Sequence, residues 1–353
     1  MWQAPGTEGL QEIHRGRRYV VLRTWGQDGK PLVIKQIRRG PLAAGTAPML
    51  RHEEALLREL RDVVPDISRV VSLAEEPSQP LALVLEDAGP HNLQEWLRRK
   101  PVGLDVFMEL ALQLGGILSR LHQQHVIHRD LNPTNLVVSA TGHRLTLVDF
   151  DLATRVSGLT PSGDMPGELQ WALPYIAPEQ TGRMNRLIDH RADLYSLGAT
   201  FYELLTGLPP FTSADPVELV HAHLARPPAP PALANPAVPP VVSNIVLKLL
   251  AKMPEERYQS ADSLLADLQE VRRRQGTGSQ GDFELGRLDL ARQLSFPERL
   301  YGRAPQQVEL RAARERVRQG TSELLLLSGA AGIGKSALVH ELARDAARGD
   351  RLL

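Results

Sequence analysis

The sequence predicts an α+β protein in two unequal parts, followed by the opening of a separate α/β domain. Three observations carry this. β-rich runs crowd the first ~90 residues around one helical stretch, and helical periodicity dominates from residue 92 to about 274. A strand, a glycine-rich loop and a helix then follow near the C-terminal end, beyond a Gly/Ser/Gln-rich break.

Taken in order, Tyr19 to Leu22 is a β-rich run, Gln27-Asp28-Gly29-Lys30 supplies a turn, and Leu32 to Ile37 is the next strand. On that strand Leu32 and Ile34 share one face, and Val33 and Lys35 share the other. From Pro48 to Val63 the period becomes helical, with Leu50, Leu57 and Leu60 as the apolar stripe. Glu53 lies on that stripe at spacing 3-4-3. A buried carboxylate is costly unless a cation meets it, and Lys35 on the nearby strand is the candidate. Val70 to Leu73 and Leu81 to Leu85 read as two more strands.

In the longer part, Asp105 is the expected N-cap of a helix carrying Leu110, Leu114, Ile117 and Leu121. Asp193 to Leu205 is another helix, ended by Gly207 and Pro209. Asp215-Pro216 reads as an N-cap followed by proline at the first helical position. Further helices are expected over about 239–252 and 260–274, with the Pro-rich stretch 226–240 a rigid loop between helices. Residues 275–283 mark the best domain boundary.

Composition bounds the function. The chain has 353 residues, enough for about two domains. Its 41 Lys+Arg balance 41 Asp+Glu, which argues against a global attraction to nucleic acid or anionic lipid. It has no Cys, which excludes disulfides, Cys-ligated zinc and thiol catalysis. The opening Met1-Trp2-Gln3-Ala4-Pro5 lacks a signal pattern, and no apolar run approaches the ~18 residues of a membrane span. The expectation is a cytoplasmic protein with no membrane segment.

Three short segments carry the chemistry: Ile127-His128-Arg129-Asp130-Leu131-Asn132-Pro133-Thr134-Asn135, Leu147-Val148-Asp149-Phe150-Asp151 and Ala177-Pro178-Glu179. In order and separation they resemble the catalytic loop, metal-binding turn and activation-segment end of protein kinases. The resemblance implies a two-lobed protein kinase fold, with a small lobe over 10–89 and a larger lobe over 90–274. It implies ATP and Mg²⁺ as cofactors and a protein Ser or Thr as acceptor. On this template Lys35 grips the α- and β-phosphates and Glu53 pairs with it, a pairing the stripe argument reaches independently. Asp130 takes the proton of the substrate hydroxyl, and Asn135 and Asp149 hold Mg²⁺. Glu86 to Ala88 is the hinge that bonds adenine, and Gly16 is aligned with a glycine of the phosphate loop. Glu179 pairs with Arg257, and Asp193 braces the catalytic loop. His122, His125 and His128 lack the spacing and acidic company of a metal site, and His128 reads as a packing residue.

The run Tyr175 to Arg186, continued by Asp189 to Gly198, narrows the resemblance. It is similar to large bacterial signalling proteins in which a Ser/Thr-kinase-like domain precedes an AAA-type ATPase, with sensor and histidine-kinase modules following in many. Leu300-Tyr301-Gly302-Arg303 fits the same group. Ser322 to Leu327 reads as a strand, and Gly329-Ala330-Ala331-Gly332-Ile333-Gly334-Lys335-Ser336 as a P-loop ahead of a helix. Backbone amides from Gly329 to Gly334 would cradle phosphates, with Lys335 on the β/γ-phosphates and Ser336 on Mg²⁺. Residues 275–299 are then a linker, and 300–353 an incomplete P-loop NTPase domain too short to hydrolyse ATP alone.

Four positions depart from the kinase pattern. The glycine-rich loop is reduced to Ile13-His14-Arg15-Gly16-Arg17-Arg18-Tyr19, Asn132 replaces a lysine, Asp151 replaces the glycine after Asp149-Phe150, and Trp171-Ala172 replaces Gly-Thr. Two functions therefore stay open. One is a Ser/Thr kinase acting on an unidentified protein. The other is a nucleotide-binding pseudokinase that docks downstream ATPase or histidine-kinase modules.

Overall fold

The alternating runs of the first part form one five-stranded antiparallel sheet in the computed structural model. It describes residues 10–75, 79–98, 102–155, 173–184, 186–277 and 283–292, with a few isolated positions between 309 and 317. The P-loop residues Gly329, Gly334, Lys335 and Ser336, and Trp171-Ala172, lie outside the described residues. The chain divides into two compact units, residues 1–292 and 293–353, and the first carries everything that follows.

The sheet order is β1-β2-β3-β5-β4, with β1 Gln11–Arg15, β2 Tyr19–Trp25, β3 Pro31–Ile37, β4 Val70–Ala74 and β5 Ala82–Glu86. Helix α1, Ala43–Leu60, buries Leu50, Leu57 and Leu60. It begins five residues before the expected start, and Pro48 sits inside it. Proline there removes only the bond to residue 44, and the preceding turn is secured by Thr46, whose N–H and hydroxyl both donate to the Leu42 carbonyl.

The larger lobe begins with β6 His91–Asn92, α2 Leu93–Leu97 and α3 Leu104–Gln123. Gly103, not Asp105, is the N-cap of α3. Asp105 lies within the first turn, where its charge favours the helix dipole. Three short pairings, β6-β8-β9 and β7-β10, then hold the loops between β7 Val126–Ile127, β8 Leu136–Val138, β9 Leu145–Leu147 and β10 Thr154–Arg155.

Helix α4, Arg191–Thr206, is the hub of this lobe, buried from Ala192 to Leu205 and closed by Gly207 at φ 83°. Gly198 lets it approach its neighbour α7, Pro240–Leu249: a Cβ there would stand 2.7 Å from Leu249 Cβ. Asp215 caps α5, Pro216–Ala225, by accepting from Val217 N at 2.8 Å, as expected. The Pro-rich stretch holds the short α6, Pro231–Ala234, and buries Pro231 and Val238. Helix α8, Ala261–Thr277, closes the lobe against α3. Residues 283–292, expected within the linker, instead belong to this unit. Phe283 and Leu285 pack on the core, Gly286 N donates to Asp267 at 2.7 Å, and α9, Arg287–Arg292, follows.

Two polar clusters tie these helices together. Arg257 is wholly buried, and its guanidinium forks onto Glu179 at 2.7 and 2.8 Å. Its remaining donors reach the carbonyls of Ala251, Arg191 and Lys252. Beside a smaller apolar cluster of Leu173, Ile176, Phe211, Leu219 and Ala222, His223 is buried edge-on to Phe211 at 5.1 Å. His223 Nδ1 pairs with Tyr195 OH at 2.9 Å, and burial, aided by the Lys252 charge, pulls its pKa down to about 3.

Two outcomes follow for stability. Arg257→Ala leaves Glu179 charged and buried, and should cost about 3–5 kcal/mol in urea unfolding; a loss under about 1 kcal/mol would contradict this account. His223 is neutral when folded but binds a proton below its ordinary 6.5 when unfolded, so its contribution is lost as pH falls from about 6.5 towards 3. Between pH 6.5 and 5 the wild type should lose roughly 2 kcal/mol more than His223→Leu, read from urea unfolding at each pH.

Candidate active site

Lys35 comes to the site through register. It stands opposite Val21 on β2 and Leu83 on β5. The apolar stripe of α1 carries Glu53, wholly buried, beneath that strand. Lys35 Nζ donates to Glu53 Oε2 at 2.7 Å and to Asp149 Oδ1 at 2.6 Å. Glu53 Oε1 accepts from Phe150 N at 3.0 Å, so one carboxylate fixes both the lysine and the turn after Asp149. Burial disfavours the ammonium, but Asp149 and Glu53 outweigh it and hold its pKa well above the ordinary lysine range. Burial likewise disfavours the Asp149 carboxylate, yet Lys35 brings its pKa below the usual value.

The catalytic loop is held from below. Asp193 Oδ2 accepts from His128 N at 2.9 Å, Oδ1 accepts from Arg129 N at 2.8 Å, and His122 Nε2 lies 2.9 Å from Oδ2. His128 is wholly buried, edge-on to Phe150 at 4.7 Å, and burial lowers its pKa. Its neutral ring donates from Nε2 to the Val148 carbonyl at 3.2 Å, and Nδ1 accepts from Asp130 N at 3.3 Å.

Asp130 is gripped by two amides. Asn132 Nδ2 donates to Oδ1 at 3.0 Å, and Asn135 Nδ2 donates to Oδ2 at 2.8 Å. Burial and the Asp149 charge push the Asp130 pKa up to about 7, with the two amides partly offsetting them. A base poised near neutral suits proton transfer. The Asn135 amide nitrogen is engaged with Asp130, leaving its oxygen as the donor for a cation. With Asp149 this makes an all-oxygen set that fits a hard ion such as Mg²⁺.

The sequence departures resolve differently. Asn132 is a strut of the loop: its Oδ1 accepts from Thr134 N at 2.9 Å while Nδ2 holds Asp130. Asp151 lies within hydrogen-bonding reach of Asp149. Burial and the Asp149 charge push its pKa up to about 8. Gly16 has both of its backbone groups engaged within the protein. It sits in the tight turn between β1 and β2, with its N–H on the Tyr19 carbonyl at 2.9 Å and its carbonyl on Arg38 at 2.7 Å. A turn this short turns its amide inward.

Sequence reasoning missed two residues here. Tyr19 lays its ring 4.4 Å from Lys35 Nζ, with its hydroxyl buried and unpartnered among the described residues. Arg23 crosses from β2 to the hinge, donating to Asp87 at 2.6 Å and to the Gly89 carbonyl at 2.7 Å. Its signal was its place on the Lys35-facing side of β2, where a long cation is out of pattern. Glu86 and Ala88 flank Asp87 in the chain.

Residues 8–268 match the protein kinase domain family. The chain belongs to the protein kinase family. Residues 299–352 match the AAA ATPase domain family. The kinase region is 34% identical over 270 residues to serine/threonine-protein kinase PknB of Mycobacterium tuberculosis, covering 75% of this chain and 41% of that protein. It is 33% identical over 267 residues to PknB of Mycolicibacterium smegmatis, with 74% and 41% covered. A match of 28% over 327 residues, covering 68% of this chain, is to hybrid signal transduction histidine kinase G of Dictyostelium discoideum. The chain spans about two-fifths of the PknB proteins and 10% of the histidine kinase.

In this kinase-family domain the Lys35–Glu53 bridge should behave as a coupled buried pair. Lys35→Met alone strands Glu53 and should cost about 3–5 kcal/mol. Adding Glu53→Leu should recover at least about 1 kcal/mol in a double-mutant cycle by urea unfolding; simple additivity would contradict the coupling.

Proposed function

We propose that this chain transfers the γ-phosphoryl group of ATP to a Ser or Thr hydroxyl of a protein, with Mg²⁺ as cofactor. The observation that carries the reading is the joined set on Lys35: its contacts to Glu53 and Asp149 form together, within one site that also holds Asp130. The similarity to serine/threonine-protein kinases supports the choice of acceptor.

In this reading Lys35 binds the α- and β-phosphates, held in place by Glu53. Glu86 and Ala88 offer backbone groups to adenine, and Arg23 braces the hinge through Asp87. Asn135 and Asp149 would hold Mg²⁺, which supplies charge neutralisation at the β/γ-phosphates. Asp130 accepts a hydrogen bond from the acceptor hydroxyl and orients its oxygen in line with the γ-phosphorus. The new O–P bond forms as the bond to the β-phosphate oxygen breaks; ADP leaves and the hydroxyl proton passes to Asp130. The missing loop amides leave the phosphates more dependent on Lys35, consistent with slow turnover.

We assign residues 10–89 to the small lobe and 90–274, extended by the rest of α8 and by 283–292, to the larger one, and the P-loop at Gly329 to Ser336 to phosphate binding within a neighbouring ATPase module. That module, and histidine-kinase modules of a longer protein, are the proposed signalling partners, in the cytoplasm.

The test is transfer of label from ATP with Mg²⁺ to the chain and to a generic protein. Asp130→Asn should lower it at least ~100-fold, while Lys335→Ala should leave it in place. Absence of label in the wild type, with ATP binding retained, would replace the kinase by the docking pseudokinase.

A further inference from the structure

Arg129, immediately before Asp130, has φ 68°, a left-handed conformation that a non-glycine side chain disfavours. Something must hold it. Asp193 takes its N–H. Its carbonyl accepts from Gln180 Nε2 at 2.7 Å.

That carbonyl belongs to the peptide plane leading into Asp130. The other end of the plane is the Asp130 N–H, which His128 Nδ1 accepts. Gln180 and His128 therefore grip opposite ends of one peptide unit, and its rotation would swing Asp130. Gln180 is itself fixed. It lies in the 3₁₀ turn Pro178–Thr181, is 4% exposed, and its Oε1 accepts from Ala177 N at 3.2 Å. The network sets the amide orientation, because a flipped amide would face donor to donor and acceptor to acceptor. Next to it Glu179 anchors the same turn to Arg257.

We propose that Gln180 is a positioning residue for the phosphoryl transfer assigned above: one side-chain amide links the end of the activation segment to the peptide plane that aims Asp130. The proposal rests on the kinase reading for its catalytic consequence. Its structural content is independent of it. Glutamine suits the role by length and by carrying one donor and one acceptor. Asparagine is one methylene short, and an ionised glutamate would set a carboxylate against the Arg129 carbonyl.

The test uses the full chain and two variants. Gln180→Met keeps the length and removes both hydrogen bonds. Gln180→Glu keeps the acceptor and carries the test if the first variant does not fold. Hydrogen exchange of residues 126–135 should speed up at least ~5-fold in either variant at about pH 8, and ATP affinity should stay within about twofold. Phosphotransfer kcat should fall ~10–100-fold with KM for ATP unchanged. Relative to wild type at the same pH, Gln180→Glu should recover as pH is lowered, because a protonated carboxyl can again donate to Arg129 O, and Gln180→Met should not. Unchanged exchange, or a raised KM with intact kcat, would overturn the proposal. A wild type that transfers no phosphate sinks the kinase reading, and the exchange result then decides by itself whether Gln180 holds the loop.

Discussion

The ammonium of Lys35 is the point on which this domain closes. It reaches from the small lobe's sheet to a helix carboxylate and to an aspartate of the larger lobe, each within hydrogen-bond distance. Removing charges from water is costly, so such a triad persists only where geometry satisfies each partner. Here Glu53 uses its second oxygen on Phe150 N, and Phe150 in turn packs on His128. The positions of the Asp149–Phe150 turn, the loop around Asp130 and helix α1 are thus set by one connected network rather than by separate contacts.

A second network stands beneath the first. Asp193, on the most buried helix of the larger lobe, accepts from two consecutive backbone amides of the catalytic loop. A loop pinned by a buried carboxylate can keep an unfavourable backbone angle, as Arg129 does at φ 68°; Asp149 does so at φ 65°, in the turn that Glu53 holds through Phe150 N. A third such residue among those described, His125 at φ 58°, lies in the turn after α3. The helices that support them are regular.

Much of this was legible from residue order. Glu53 on an apolar stripe demanded a cation, and Lys35 is that cation. Gly207 and Asp215-Pro216 ended and started helices as their chemistry dictates. Other features depend on neighbours that local pattern does not reveal. Asp105 has cap chemistry but falls inside the helix, because Gly103 already provides the extended entry. Gly16 aligned with one glycine of an otherwise reduced phosphate loop, and the shortness of the β1–β2 turn directs its amide to Tyr19. Gln180 follows a recognisable motif, but its partner lies 51 positions away, and only the fold brings the two together.

Arg257 illustrates how little net charge says about tolerance to change. Five acceptors converge on its planar fork: two carboxylate oxygens, the adjacent carbonyls of Ala251 and Lys252, and the carbonyl of Arg191. A lysine would keep the charge yet bring only three donors in a tetrahedral arrangement. At least two buried acceptors would go unmet. The site therefore selects for the shape of a guanidinium, and a substitution that looks conservative by charge is here among the least interchangeable in the domain.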